Sequence, residues 1–174
     1  MDTANVYIDY QLNMEEGTSL INVLAQGIVY EDGTEEPIQI GEACLHLFNT
    51  QKSSYIEVCG EADCLSKSLS YSLRNLDRLC DINKLSGLIA IFHSLKIDAS
   101  WSGKGVGQVF YKKIEEQLAL LNVEMILLTT CEDEISKDNT SELPVYFKHL
   151  GFYPFQQSGE PIMYKKLLNP YIKI

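Results

Sequence analysis

Two apolar runs, separated by a glycine-rich turn and one amphipathic helix, restrict the fold of this chain more than any other feature. Leu88-Ile89-Ala90-Ile91-Phe92 is almost continuously apolar and extends to Ile97, the pattern of a strand covered on both faces. Ser102-Gly103-Lys104-Gly105-Val106-Gly107-Gln108 follows, and Val106, Phe110, Ile114, Leu118 and Leu121 then recur at helical spacing. Val123 to Thr130 reads as a second buried strand. Leu88 to Thr130 is therefore a β-loop-α-β unit with parallel strands and a right-handed crossover, which makes the chain an α/β domain.

The flanking segments supply the rest of a mixed sheet. Val6-Tyr7-Ile8 is a short strand, and Ile21–Tyr30 with Ile38–Phe48 flank Glu31-Asp32-Gly33-Thr34-Glu35-Glu36-Pro37, whose Asp-Gly and Pro are turn chemistry. That pattern predicts a long hairpin. From Asp63, read as an N-cap, Leu65, Leu69, Leu73, Leu76 and Cys80 fall on one stripe and predict a single helix. The polar stretch from Cys131 to Glu142 reads as a surface loop. Leu143 to Leu150 reads as a short helix that tolerates Pro144 in its first turn and ends at Gly151, and Ile162–Leu168 as a last strand. With 174 residues and no internal repeat or linker, residues 1–174 form one domain.

Charge narrows the partners. Lys and Arg number 14 against 24 Asp and Glu, a formal charge of −10, and no more than two basic residues stand together. A phosphate backbone needs a basic stripe, so nucleic acid is not expected as a partner. An acidic surface favours a cationic small molecule or a basic protein segment, although plain solubility explains it equally. Five cysteines, Cys44, Cys59, Cys64, Cys80 and Cys131, without C-x-x-C spacing and without a leader-like segment predict a reducing, cytoplasmic setting and no metal site. No apolar run approaches the roughly 20 residues of a membrane span, so no membrane association is expected.

Two glycine codes fail at the turn. A Walker loop requires Gly where Asp98 stands and Ser or Thr where Gly105 stands, and the dinucleotide fingerprint requires Gly at Gln108. What remains is a strand running into glycines that open a helix. Its first amides and the positive end of its dipole form a seat for a diphosphate, with Lys104 adding charge. The plainer alternative is a tight β-to-α connection.

The stretch resembles the acetyl-coenzyme A (CoA) binding motif of the GNAT superfamily of N-acetyltransferases: an L-x-V strand, four residues, then R/Q-G-x-G-hydrophobic-G and a helix. Leu95-Lys96-Ile97, Asp98 to Trp101, and Ser102-Gly103-Lys104-Gly105-Val106-Gly107 match in order. Phe147-Lys148-His149-Leu150-Gly151-Phe152 is similar to a second signature of that family, Y-x-x-L-G-F. The likeness covers about Leu88 to Phe155. It implies a GNAT-like α/β fold: a mixed, mostly antiparallel central sheet with a splayed parallel strand pair, flanked by helices. It implies that backbone groups of Leu95 and Ile97 pair with the pantetheine arm, and that amides from Gly103 to Gln108 hold the pyrophosphate. Asn139 and Thr140 lie near where the family often places a pantetheine contact.

The implied chemistry is direct attack of a primary amine on the acetyl group of acetyl-CoA. It needs a base, an oxyanion donor and an acid for the departing thiolate. His93, nine residues before Ser102, stands where the family often carries Glu or His, and an imidazole with a pKa near ~6.5 suits proton removal near neutrality. Its alternation with Ile91 and Leu95 also fits a hydrogen-bonded core histidine. Phe147 occupies the usual acid tyrosine position, leaving Tyr146 beside it or water as the acid. Ser102 replaces the usual Arg or Gln, and Cys131 reads as structural. Tyr7, Tyr10, Tyr30, Tyr55 and Tyr71 are candidates for lining an acceptor cleft. The expected acceptor is a small-molecule amine or a lysine side chain, with a homodimer through sheet edges compatible with the fold. Ser102 and Phe147 also suit a second reading, an inactive acyl-CoA-binding or regulatory module with the same fold. A phosphate-ligand protein unrelated to CoA ranks last.

Overall fold

The computed structural model describes residues 6–14, 16–30, 36–80, 85, 87–129, 143–155 and 162–167. Strands β1 (Tyr7–Met14), β2 (Leu20–Tyr30) and β3 (Pro37–Asn49) come first, then helices α1 (Tyr55–Leu65), α2 (Lys67–Arg74) and α3 (Leu76–Leu79). Strand β4 (Leu88–Ile97), helix α4 (Val106–Leu120) and strand β5 (Val123–Thr129) follow, and α5 (Leu143–His149), β6 (Tyr153–Phe155) and β7 (Ile162–Lys166) complete the described chain. One seven-stranded sheet runs β1-β2-β3-β4-β5-β7-β6. Only β4 and β5 pair in parallel among the described strands; every other pair is antiparallel. The expected mixed, mostly antiparallel sheet with one parallel pair is therefore the observed one.

Alternation along the strands gives the sheet two apolar faces, each covered by different helices. Val23, Ala25, Ala43, Leu45, Leu47, Ala90, Phe92, Ile126 and Leu128 pack with Val106, Phe110, Tyr111, Ile114 and Leu118 of α4 and with Phe152. On the other face Leu20, Phe48, Ile89, Ile91, Met125 and Leu127 pack with Val58, Cys59, Ala62, Leu69, Leu73 and Leu76. Helices on both faces explain why β4 and β5 read as unbroken apolar runs. Each such large side chain contributes ~1.5–3 kcal/mol when removed from water.

The single helix expected from Asp63 is instead three. Asp63 is not an N-cap: it lies inside α1 and accepts hydrogen bonds from Ser70 and Arg74 of α2. The chain breaks at Ser66, whose backbone is extended and whose hydroxyl accepts from Leu69 N at 3.1 Å. It breaks again at Asn75. Of the leucine stripe, Leu69, Leu73 and Leu76 are buried against the sheet, whereas Leu65 at the end of α1 is exposed. Helix α1 itself begins earlier, at a capping box in which Ser54 N donates to Glu57 Oε2 at 2.8 Å and Glu57 N donates to Ser54 Oγ at 3.4 Å.

Two features fix the site-bearing elements. Helix α5 ends in a Schellman turn, with Phe152 N donating to Phe147 O and Gly151 N to Lys148 O, both at 3.0 Å, around Gly151 at φ +88°. Lys165 of β7 donates to Glu115 of α4 at 2.7 Å and to Leu150 O at 2.6 Å, tying α4 and α5 to the sheet. The expected loop Cys131–Glu142, with Asn139 and Thr140, lies outside the described residues.

Candidate active site

The parallel ladder between β4 and β5 runs only from Leu88↔Val123 to Phe92↔Leu128. Strand β4 continues to Ile97, and there its partner among the described residues is β3 alone, through Ala43↔Leu95, Glu42↔Lys96 and Gly41↔Ile97. Asp98 N donates to Ile40 O at 3.0 Å, which fixes the phase of the ladder. Backbone groups alternate in direction along a strand, so Lys96 also turns its amide and carbonyl toward β3. Leu95 and Ile97 turn theirs the other way, along the edge that β5 does not cover in the described residues. These are the two positions expected to pair with an extended arm of a ligand, while the Lys96 side chain is exposed on the α1–α3 face.

A short 3-10 turn, Ala99–Trp101, carries the chain from β4 to the glycines. Gly103 and Gly105 have φ of +72° and +76°, a left-handed backbone that L side chains adopt only at a cost. A Cβ at either position would meet nothing within 4 Å, so both open to space and neither is packed beneath a side chain. Gly105 is the N-cap of α4, and no side chain caps the helix there. The first-turn amides, including those of Val106 and Gly107, consequently face outward at the positive end of the dipole. Ser102 is exposed, its amide donating to Asp98 O at 3.0 Å, and Gln108 is exposed in the first turn of the helix, its amide donating to Gly105 O at 3.2 Å. Val106 is buried, and its side chain anchors the turn to the core. Lys104 lies with its ammonium 5.2 Å from the Trp101 ring centroid, a cation held at the rim of the turn.

Gly107 serves a different purpose. A Cβ there would stand 3.1 Å from Ile97 Cγ1 and 3.2 Å from the Tyr146 hydroxyl oxygen. The Tyr146 phenol therefore reaches from α5 to the junction of β4 and α4, beside the strand edge that β5 does not cover among the described residues. Burial raises its pKa, which keeps it a protonated phenol at neutral pH. Phe147 packs edge-on against Phe152 at 5.6 Å and, like Tyr146, is partly buried against the α4-side core, but it is the Tyr146 hydroxyl that stands beside Gly107.

His93 lies at an irregularity that the sequence does not reveal. Leu45 pairs with Phe92 and Cys44 with Ser94, so His93 is the extra residue of a bulge in β4. It is exposed, and its ring lies edge-on to His46 of β3, centroids 5.7 Å apart. The alternation that suggested a core histidine is broken by that bulge: Ile91 packs on the α1–α3 face, whereas Leu95 packs on the α4 face. His93 and Tyr146 thus approach from opposite faces of the sheet, beside the end of the parallel ladder.

His46 is absent from the sequence expectations. Its Nδ1 lies 2.8 Å from Asn22 Oδ1. Burial, and next the neighbouring His93, push its imidazole below the ordinary histidine range. The suggested tyrosine-lined cleft does not assemble. Tyr7 pairs edge-on with Tyr30 at 5.5 Å, Tyr10 packs on the α4 face, and Tyr55 donates to Leu73 O at 2.6 Å. Among the described residues no group of three His, Cys, Asp or Glu side chains is placed to hold a metal, and no helix is long and apolar enough to cross a membrane.

No protein-family model matches the chain, and no curated protein sequence matches it. Among solved structures it is similar to a GNAT-family acetyltransferase from Listeria monocytogenes, at 14% identity and a TM-score of 0.47, over 83% of this chain and 64% of that one. It is similar to Arabidopsis thaliana NAA60 in complex with acetyl-CoA, at 13% identity and a TM-score of 0.47, over 83% of this chain and 76% of that one. It is also similar to a chain of the KacTA-DNA complex, at 10% identity and a TM-score of 0.47, over 87% of this chain and 70% of that one.

Proposed function

We propose that this protein is an N-acetyltransferase that moves an acetyl group from acetyl-CoA to a primary amine in a ternary complex. One observation carries the reading: a turn open at Gly103 and Gly105 starts a helix with no side-chain cap, at the end of a strand whose far edge has no partner among the described residues where the parallel ladder stops. A long ligand with a diphosphate at one end and an amide-bearing arm fits both features. The amides of Gly103 to Gly107 hold the diphosphate, that of Gln108 being engaged with Gly105 O at 3.2 Å, and Leu95 and Ile97 hold the arm.

In this reading the arm runs along β4 toward the bulge at His93. The amine enters on the α1–α3 face and gives a proton to His93. Its nitrogen then attacks the acetyl carbonyl carbon, the C–N bond forms and the C–S bond breaks. Tyr146 gives its phenolic proton to the departing thiolate. The nitrogen gives up two protons in all: one passes through His93 to solvent, and the other restores Tyr146. An acidic chain of net charge −10 raises the local concentration of cationic amines, in keeping with a small-molecule amine or a lysine side chain as acceptor.

A thiol-release assay with acetyl-CoA and a panel of polyamines, aminoglycoside-like amines and lysine peptides tests this, with calorimetric titration of CoA alongside. The proposal expects CoA binding, and thiol release that depends on an amine. CoA binding without release on any amine supports the inactive module instead. No preference for acetyl-CoA over ATP removes both readings.

A further inference from the structure

We infer that His46, clamped by Asn22, is a positioning residue that orients His93 toward the incoming amine, so that the two imidazoles act as one proton-accepting unit. This rests on the acetyltransferase reading above and assigns to its base a partner that lies 47 residues earlier in the chain.

The sheet register builds the unit. Asn22 of β2 stands directly opposite His46 of β3, and His46 directly opposite Ile91 of β4. Directly paired residues share a face, so Asn22, His46 and Ile91 lie in one row on the α1–α3 side, next to the row of Phe48 and Ile89. The bulge then inserts His93 between the rows Leu45↔Phe92 and Cys44↔Ser94 and brings its ring to 5.7 Å from that of His46, at an interplanar angle of 78°. A regular ladder has no position for the extra ring.

Asn22 fixes the chemistry of the inner ring. With the Asn22 carbonyl oxygen 2.8 Å from Nδ1, that nitrogen carries the hydrogen and Nε2 keeps its lone pair. His46 is half-buried and His93 exposed. The outer ring is therefore the one that an amine can approach and water can serve. The inner ring, neutral and held by its clamp, presents an edge-on aromatic wall that sets the angle of the outer one.

Other titratable side chains lie on the same face, among them Tyr55, Cys59 and Tyr164 of the apolar cluster. Cys44 occupies the next row of the same face, and Asp9, Glu42 and Lys96 share the row after it, Lys96 directly opposite Glu42. On the helices packed against this face, Glu61 accepts from Ser19, Asp63 accepts from Ser70 and Arg74, and Glu57 is engaged by Ser54.

Two measurements on the full chain test the inference. Ring nitrogen NMR between pH 5 and 8 follows each imidazole without any substrate. His46 is expected to remain neutral with its hydrogen on Nδ1 as pH falls through 6.5, while Asn22→Ala mixes its tautomers and Asn22→Asp makes His46 the first of the two to protonate. In the thiol-release assay, Asn22→Ala and His46→Gln are each expected to lower kcat about 10- to 100-fold, with the KM for acetyl-CoA unchanged, as a misplaced base would. They are also expected to shift the midpoint of the pH–rate profile. A hydrogen on Nε2 of His46, simultaneous titration of both rings, or Asn22→Ala with wild-type kcat and pH profile overturns the inference. Absence of thiol release from the wild-type protein overturns the acetyltransferase reading, and the ring spectra then still decide whether the clamped pair exists.

Discussion

Gly105→Ala separates the strain stored in the turn from the binding it supports. At φ +76° an alanine carries a left-handed penalty of ~1–2 kcal/mol, and its methyl group adds no collision, because a Cβ there meets nothing within 4 Å. For a domain of this size a loss of 1 kcal/mol lowers Tm by about 2–4 °C, so the variant is expected to melt about 2–8 °C lower while remaining folded. Relief of that strain rotates the peptide units around position 105 and turns amides of the helix N-terminus away from the diphosphate. Each charge-assisted hydrogen bond lost costs ~1.5–3 kcal/mol, or about 10- to 150-fold in Kd. Calorimetric titration with CoA and with pantetheine, which lacks the diphosphate, reads this directly. Affinity for CoA is expected to fall by that factor while affinity for pantetheine holds. Gly105→Ala with the lowered Tm but unchanged CoA affinity, or with equal losses for both ligands, refutes the reasoning.

Three further outcomes follow from the geometry. Tyr146→Phe removes the hydroxyl beside Gly107 and is expected to slow turnover about 100-fold or more without weakening CoA binding, read as kcat against calorimetric Kd. Ser54→Ala removes the capping box of α1 and is expected to cost ~1 kcal/mol, a Tm lower by about 2–4 °C, with thiol release at the wild-type rate. His46 binds its proton less readily folded than unfolded, so its contribution to stability is complete above about pH 6.5 and is lost as pH falls through that value; denaturant titrations between pH 7.5 and 5 are expected to show a shallower decline for His46→Gln.

The parts legible in the sequence are those in which local pattern and tertiary environment agree. The apolar runs of β4 and β5 and the stripe of α4 are visible because one face of α4 and both faces of the strands are covered. The hairpin β2–β3 is equally clear from its turn residues. The break at Ser66 is hidden because the leucine stripe persists across it, so periodicity alone reads one helix where capping serines set two starts. Ser54-x-x-Glu57 was a usable signal for the start of α1. Strand β6, only three residues long and exposed over two of them, offers no pattern at all.

At the site, the glycine turn is legible because a left-handed backbone needs glycine, and the type of residue reports the conformation directly. The imidazole pair is not. His46 and His93 meet only through the β3–β4 register, and the one-residue bulge that turns His93 toward His46 leaves no mark in composition or spacing. Tyr146 is legible as an alternative to Phe147, but the choice between them comes from the packing of α5, which sets Phe147 against Phe152 and the Tyr146 hydroxyl beside Gly107 and Ile97.

Amide NMR of the uniformly nitrogen-labelled protein examines the turn most directly, because glycine signals are well separated. Titration with CoA is expected to move the amide resonances of Gly103, Gly105 and Gly107 first and furthest, and inorganic pyrophosphate alone to move the same three. If saturating CoA leaves those three signals in place while resonances elsewhere shift, the diphosphate is held by another part of the molecule and the proposed function loses its foundation.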